Sequence, residues 1–347
     1  MIDKVEIRIG SKTISDYVSY EADADVLTPA DVFTCRLGKL TKAEASVVEQ
    51  GVEFELYVNG KREMLGVIDI ISKSHSNSDL SMTVEGRDLG GLLVDCHVEN
   101  WRTVHKKDLK AIATELIAPL PFIGQQRVVF GKGADKTAQA AFRMSHYRPG
   151  VTVAHVLSDL CQRKGLLWWI EPDGTLVFDK PVTKGKAAFN FYAYKDKANG
   201  PKNNILNITE TNNRSKCYSK VIVTGQVQGD DEMEPGEHSV SGSATDSSFP
   251  FYKPLVMEVH PHEGSTKSQA LHEIWKRRAE GYRITVTAAR HSQNGQNYTF
   301  NRMAYVEDER SEIKGEFVVL ARKLVFDGVE QKTILTLGLP LEGYGIS

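Results

Sequence analysis

Residues 151–179 read VTVAHVLSDLCQRKGLLWWIEPDGTLVFD, and a change of hydrophobic period inside them decides the class of fold. Val153, Val156, Leu157, Leu160 and Cys161 recur at helical spacing. Thr152 stands where an N-cap belongs, and Gly165 suits the left-handed position that ends a helix. Two β-rich runs follow directly, around Pro172-Asp173-Gly174. Proline presets φ there and glycine takes positive φ, so residues 166–179 are predicted to form a hairpin packed on the preceding helix.

Upstream, the first ~95 residues alternate apolar and polar side chains: Val5, Ile7, Ile9; Phe33, Cys35, Leu37; Phe54, Leu56, Val58; Leu80, Met82, Val84. Each set turns one apolar face inward. Asn59-Gly60 suits a two-residue type I′ turn, so Glu53 to Val58 and Lys61 to Ile68 are expected to pair. Between the strands and the hairpin, Leu109, Ile112, Ala113, Leu116 and Ile117 mark a helix that Asp108 can cap.

Downstream, strand patterns return at residues 205–208 and 221–224, and again after 282. A helix is predicted over about 266–281, with Leu271, Ile274, Trp275 and Ala279 on one face. GQVQGDDEMEPGEHSVSGSATDSS is acidic, then rich in serine and glycine, and offers little to bury. The expected class is α+β, mainly β, with two β-barrel-like domains flanking a small α+β unit. The boundaries read as 1–96, 97–182, a connector at 183–204, and 205–347 with a flexible loop at 225–250 and the inserted helix at 266–281.

Composition sets limits on function. The 347 residues carry 43 Lys plus Arg against 45 Asp plus Glu, a formal charge of only -2, which disfavours nucleic acid as a principal ligand. No stretch approaches the ~20 apolar residues of a membrane span, and the N-terminus lacks the apolar run of a secretory signal. The four cysteines lie far apart without a C-x-x-C pair, so reduced, packed thiols are expected.

Motifs that resemble chemistry fail on inspection. FGKGADKT (residues 130–137) places Asp135, not glycine, before Lys136-Thr137, so it departs from a phosphate-binding loop. His272-Glu273 opens like a zincin helix, but Lys276 occupies the second ligand position, and an exposed polar face is expected there. His260 and His262, with His238, form no diagnostic metal spacing. Trp168 and Trp169 could stack bases or sugars, yet adjacent strand residues point to opposite faces. One ring is expected on the helix and the other at a domain contact. No catalytic, cofactor-binding or metal-binding residue is assigned, and no cofactor is expected.

The segment quoted at the outset, together with GVIDIISKS, VEGRDLGGLL and the C-terminal GEFVVLARKLVFDGVEQKTILTLGLPLEGY, resembles the baseplate hub proteins of Mu-like contractile-tailed phages and prophages. These are relatives of late-control tail proteins and of type VI secretion spike hubs. The likeness runs over nearly the whole chain in order, carried by structural signatures and not by one motif. It implies a homotrimer whose six barrel-like domains form a pseudo-sixfold ring, joining the sixfold tail tube to a threefold central spike. Its partners would be spike, tube and baseplate wedge proteins, with passage of DNA through the ring and no sequence-specific nucleic-acid binding. It would be made in the bacterial host cytoplasm, reside in the virion baseplate, and not be an enzyme. The competing readings are a β-rich glycan- or nucleic-acid-binding module, or an accessory domain of a cell-wall hydrolase.

Overall fold

The alternating N-terminal segments form β1 (Val5–Ile9), β2 (Lys12–Ile14), β3 (Tyr17–Asp25), β4 (Val32–Leu37), a single helical turn α1 (Lys42–Ala45), β5 (Glu53–Val58), β6 (Lys61–His75) and β7 (Leu80–Asp88). The structure is a computed structural model that describes residues 3–14, 16–75, 80–120, 128–196, 203–226, 239–258 and 266–340. Asn59 and Gly60 both adopt positive φ, 53° and 76°, and set Val58 opposite Lys61. Inward residues from strands at both ends of this lobe, among them Ile9, Ile14, Tyr20, Phe33 and Phe54, share one core. Sharing a core demands that the sheet curl. Gly66 and Gly86 permit it: a Cβ at Gly86 would stand 2.7 Å from the Phe54 ring, and one at Gly66 would stand 2.1 Å from the Arg87 carbonyl.

The middle unit comprises α2 (Gly90–Asp95), β8 (Arg102–Lys107), α3 (Leu109–Ile117), β9 (Val128–Phe130), α4 (Lys136–Gln139), β10 (Phe142–Tyr147), α5 (Val153–Lys164), β11 (Leu167–Ile170) and β12 (Leu176–Asp179). The Asp108 carboxylate accepts from the Ala111 amide at 2.7 Å, and the Thr152 hydroxyl accepts from the His155 amide at 3.1 Å. Each satisfies an amide that the first helical turn leaves open. Gly165 ends α5 at φ 65°, and Gly174 turns the β11–β12 hairpin at φ 84°. β9 adds to β12 in parallel, and β8 pairs with β10 as a separate ribbon.

The remainder contains β13 (Phe189–Ala193), β14 (Ile205–Asn212), β15 (Lys220–Gln226), β16 (Ser239–Thr245), β17 (Pro254–Glu258), α6 (Thr266–Gly281), β18 (Tyr282–Ala289), β19 (Ser292–Gln293), β20 (Gln296–Asn297), β21 (Met303–Asp308), β22 (Ile313–Phe326) and β23 (Gln331–Gly338). Three expectations change here. First, the chain is mainly β with small helices, as expected, but its two β-rich lobes share one sheet. No closed barrel occurs among the described residues; one 13-stranded open sheet runs β14-β18-β23-β22-β3-β4-β7-β6-β5-β1-β2, with β21 beside β22 and β13 beside β21.

The junction is β22. Residues 313–318 of one edge pair with β21, and residues 321–326 of the same edge pair with β3. A bulge at Leu320 marks the changeover, where the Val26 amide donates to the Leu320 carbonyl at 3.0 Å. Second, the connector at 183–204 includes β13, whose Phe189 and Phe191 are fully buried in the C-terminal core and which lies parallel to β21.

Third, part of the serine-glycine segment is ordered. β16 pairs with β15, which pairs in turn with β17, and this three-stranded sheet packs on α6 through Val221, Val223, Ala244, Ala270 and Ile274. Small residues serve close approach here: a Cβ at Gly242 would lie 2.4 Å from the Lys267 backbone nitrogen. Of the expected loop, residues 227–238 lie outside the described residues.

Candidate functional site

FGKGADKT does cradle an anion, but the anion is the chain's own. A Cβ at Gly131 would lie 2.0 Å from Asp179 Oδ2, and one at Gly133 would lie 2.6 Å from Oδ1. Burial raises the Asp179 pKa, while amides of Lys180, Gly133 and Ala134 that bond its carboxylate pull it back. Asp135 caps α4 through the Ala138 amide at 2.9 Å and pairs with Lys180 Nζ at 2.6 Å. The glycines thus seat a carboxylate where a phosphate loop would seat its ligand.

His272 and Glu273 are buried, against the expectation of an exposed face. Burial lowers the His272 pKa to about 4, and Glu273 accepts from Arg277 Nε at 2.7 Å. His238, His260 and His262 lie outside the described residues, and among those described no group of three or more His, Cys, Asp or Glu is arranged to hold a metal ion. The four cysteines are free thiols; burial pushes Cys35 up to about 12.

Trp168 and Trp169 are both buried and face different cores, which removes either as a stacking platform. Trp168 joins the middle core and donates from Nε1 to Ser158 Oγ of α5 at 2.9 Å. Trp169 joins the C-terminal core, edge-on to Phe300 with ring centroids 6.1 Å apart, and donates to Glu171 Oε1 at 2.9 Å.

A cleft of about 270 Å³ opens where β6, the β11–β12 hairpin and the β19–β20 region meet. At its base the buried Arg322 pairs with Glu63 and donates from Nη1 to the Tyr298 carbonyl at 2.6 Å. Asn297 Nδ2 donates to Glu63 Oε1 at 2.6 Å and to the Val58 carbonyl at 2.8 Å. Asp31 and Asp88 also line it. Burial pushes Asp88 up to about 7 and Asp31 well above the usual carboxylate range, their mutual repulsion adding to the latter. Opposite charges that close on one another at the base of the cleft hold three parts of the chain together.

A second polar cluster joins the chain's start to its last strands. Asp3 accepts from the His291 amide at 2.6 Å, from Ser292 Oγ at 2.7 Å and from Asn59 Nδ2 at 2.8 Å. The Thr333 hydroxyl spends its proton on the Arg290 carbonyl at 2.7 Å, so at 3.0 Å it accepts from Nδ1–H of His291. Nε2 is then bare and accepts from the Tyr20 hydroxyl at 2.7 Å. Serine, histidine and aspartate meet here, but the imidazole faces Tyr20 and Thr333, so it relays no proton to Ser292. Nothing in local sequence marks these residues, because Asp3 and His291 come together only through the shared sheet.

Taken with its known relatives, this architecture defines a phage tail protein. Residues 4–88 match the family described as Mu phage baseplate assembly protein GpP-like, N-terminal, and residues 90–180 match Baseplate hub protein gp44-like, second domain. The chain belongs to the baseplate hub proteins of Mu-like phages and prophages. The baseplate hub protein gp44 of Escherichia phage Mu is 22% identical over 360 residues, spanning 99% of this chain and 89% of that protein. Among solved structures, the tail protein from Neisseria meningitidis MC58 superposes with a TM-score of 0.82 at 24% identity, over 99% of this chain and 98% of the other. The 43 kDa tail protein of prophage MuSo2 from Shewanella oneidensis gives 0.77 at 17% identity, over 97% and 98%. Among the described residues, no helix is long and apolar enough to cross a membrane.

Proposed function

We propose that this hub subunit works as a homotrimeric ring that joins the sixfold tail tube to the threefold central spike, without enzymatic activity of its own. The observation that carries the reading is the single sheet that runs through both β-rich lobes and changes lobe at β22. Two lobes per chain on one sheet give three chains six positions, the number a sixfold tube requires. The sheet ends at β2 in one lobe and at β13 and β14 in the other, and none of these has a second strand partner among the described residues. Edges at opposite ends suit head-to-tail contacts, which close into a ring when the rotation per subunit is right. Spike, tube and wedge proteins are the partners such a ring would hold, and its centre would pass DNA. Synthesis in the host cytoplasm followed by assembly into the baseplate fits this role.

Size-exclusion chromatography coupled to light scattering tests the ring. A mass near three times 38.6 kDa is expected. A concentration-independent monomer or a twofold dimer overturns it.

A further inference from the structure

The β8–β10 ribbon stands apart from the 13-stranded sheet, and its two strands pair only with each other among the described residues. A lone two-stranded ribbon is marginal in water. This one is anchored through Val104, Phe142, Ser145 and Tyr147, all buried. Arg102, Thr103, His105, Lys106, Met144 and His146 face outward. Trp101, just before β8, is 77% exposed, and Met144, opposite His105 further along the ribbon, is exposed as well. Arg102, Lys106 and Arg148 are exposed and make no ion pair among the described residues, whereas nearby Lys107 and Arg163 pair with Glu115 and Asp159. Lys106 also holds φ at 48°, a conformation that costs a non-glycine residue energy and that collects at binding sites.

We propose that this ribbon is a docking surface for an acidic polypeptide segment of another baseplate subunit, with Trp101 as its apolar anchor. Three features select that occupant. Arg102 and Arg148 stand at the Trp101 end of the ribbon and Lys106 at its other end, and neither strand carries an acidic residue, so the ribbon has an excess of positive charge that attracts acidic partners. Neither outer strand edge has a second strand partner among the described residues, and an extended polypeptide can pair with such an edge where a nucleic acid cannot. A single exposed indole is the size of a protein hot spot, whereas single-stranded nucleic acid is gripped by successive stacking rings in a basic groove.

Trp101 reports on its own surface, because Trp168, Trp169 and Trp275 are buried. Poly-L-glutamate added to the full-length protein should shift the exposed indole emission to the blue and protect it from acrylamide, and salt should reverse both effects. The Trp101→Phe variant should lose the signal. In R102E/K106N/R148E, where asparagine tolerates the left-handed backbone, affinity should fall about tenfold or more with circular dichroism and solution mass unchanged. The proposal is overturned if poly-L-glutamate gives no protection, if the charge variant responds like the parent, or if oligo-dT protects Trp101 at lower concentration than poly-L-glutamate at equal salt.

Discussion

Arg322 and Glu63, separated by 259 positions in sequence, form a buried ion pair, and Arg322 Nη2 also donates to the Glu63 carbonyl at 3.1 Å. The pair ties β22 to β6 across the base of the cleft. Arg322 Nε has no partner among the described residues, so the guanidinium depends on its remaining bonds for compensation.

Glu63→Gln removes the counter-charge and leaves the guanidinium buried. The expected loss is about 3 to 5 kcal/mol, read as a lower urea midpoint with unchanged slope. Replacing both partners with apolar residues, Glu63→Leu with Arg322→Met, should recover much of that loss because no charge stays buried. A Glu63→Gln midpoint equal to the parent's would show that the pair is solvated and adds nothing.

Much of the local structure was legible. Asn59-Gly60 announced its turn, Asp108 and Thr152 their helices, and Pro172-Asp173-Gly174 its hairpin, because each depends on residues a few positions apart. The single sheet was not legible, since β3 and β22 pair across some three hundred residues and their alternation fits two separate barrels equally well. β16 was hidden because Ser239 to Thr245 carries little hydrophobicity; its value lies in the smallness that Gly242 needs against α6. His272, Glu63 and Arg322 are of types usually exposed, and only the tertiary fold reveals that they are buried. The cleft is hidden in the sequence for the same reason, because its lining comes from segments far apart in the chain. The family likeness, spread over the order of elements, carried further than any motif.

Two buried groups pull stability in opposite directions as pH changes. His291 is held down to about 4 by burial, whereas a histidine in the unfolded chain titrates near 6.5. Between those values the unfolded chain binds more protons, so this group's contribution is lost as pH falls from 6.5 to 4. Asp88 is held up at about 7 against an ordinary 3.8, so the folded chain binds the extra proton and stability is lost as pH rises through that window. Relative to the parent, His291→Gln should therefore gain as pH is lowered, and Asp88→Asn should gain as pH is raised. Urea midpoints at about pH 4.5 and about pH 7 check both signs. Equal differences at the two pH values would show that neither group titrates as burial dictates.

Trp168 and Trp169 are neighbours in β11, yet their removal should damage different parts of the molecule. Trp168→Ala opens a cavity in the middle core and leaves Ser158 Oγ without its indole donor, whereas Trp169→Ala removes the ring that joins the hairpin to Phe300 and the C-terminal core. Each truncation is expected to cost about 3 to 5 kcal/mol, since both rings are almost fully buried. Hydrogen exchange separates the two. In Trp168→Ala, α5 amides should exchange faster while the segment around Phe300 stays protected. In Trp169→Ala, the order reverses, because α5 keeps its core and the hairpin loses its seat. Neither variant should lose affinity for a glycan or an oligonucleotide beyond its loss of folded protein. If both variants proved as stable as the parent, the rings would not be core residues, and a role in binding would have to be reconsidered.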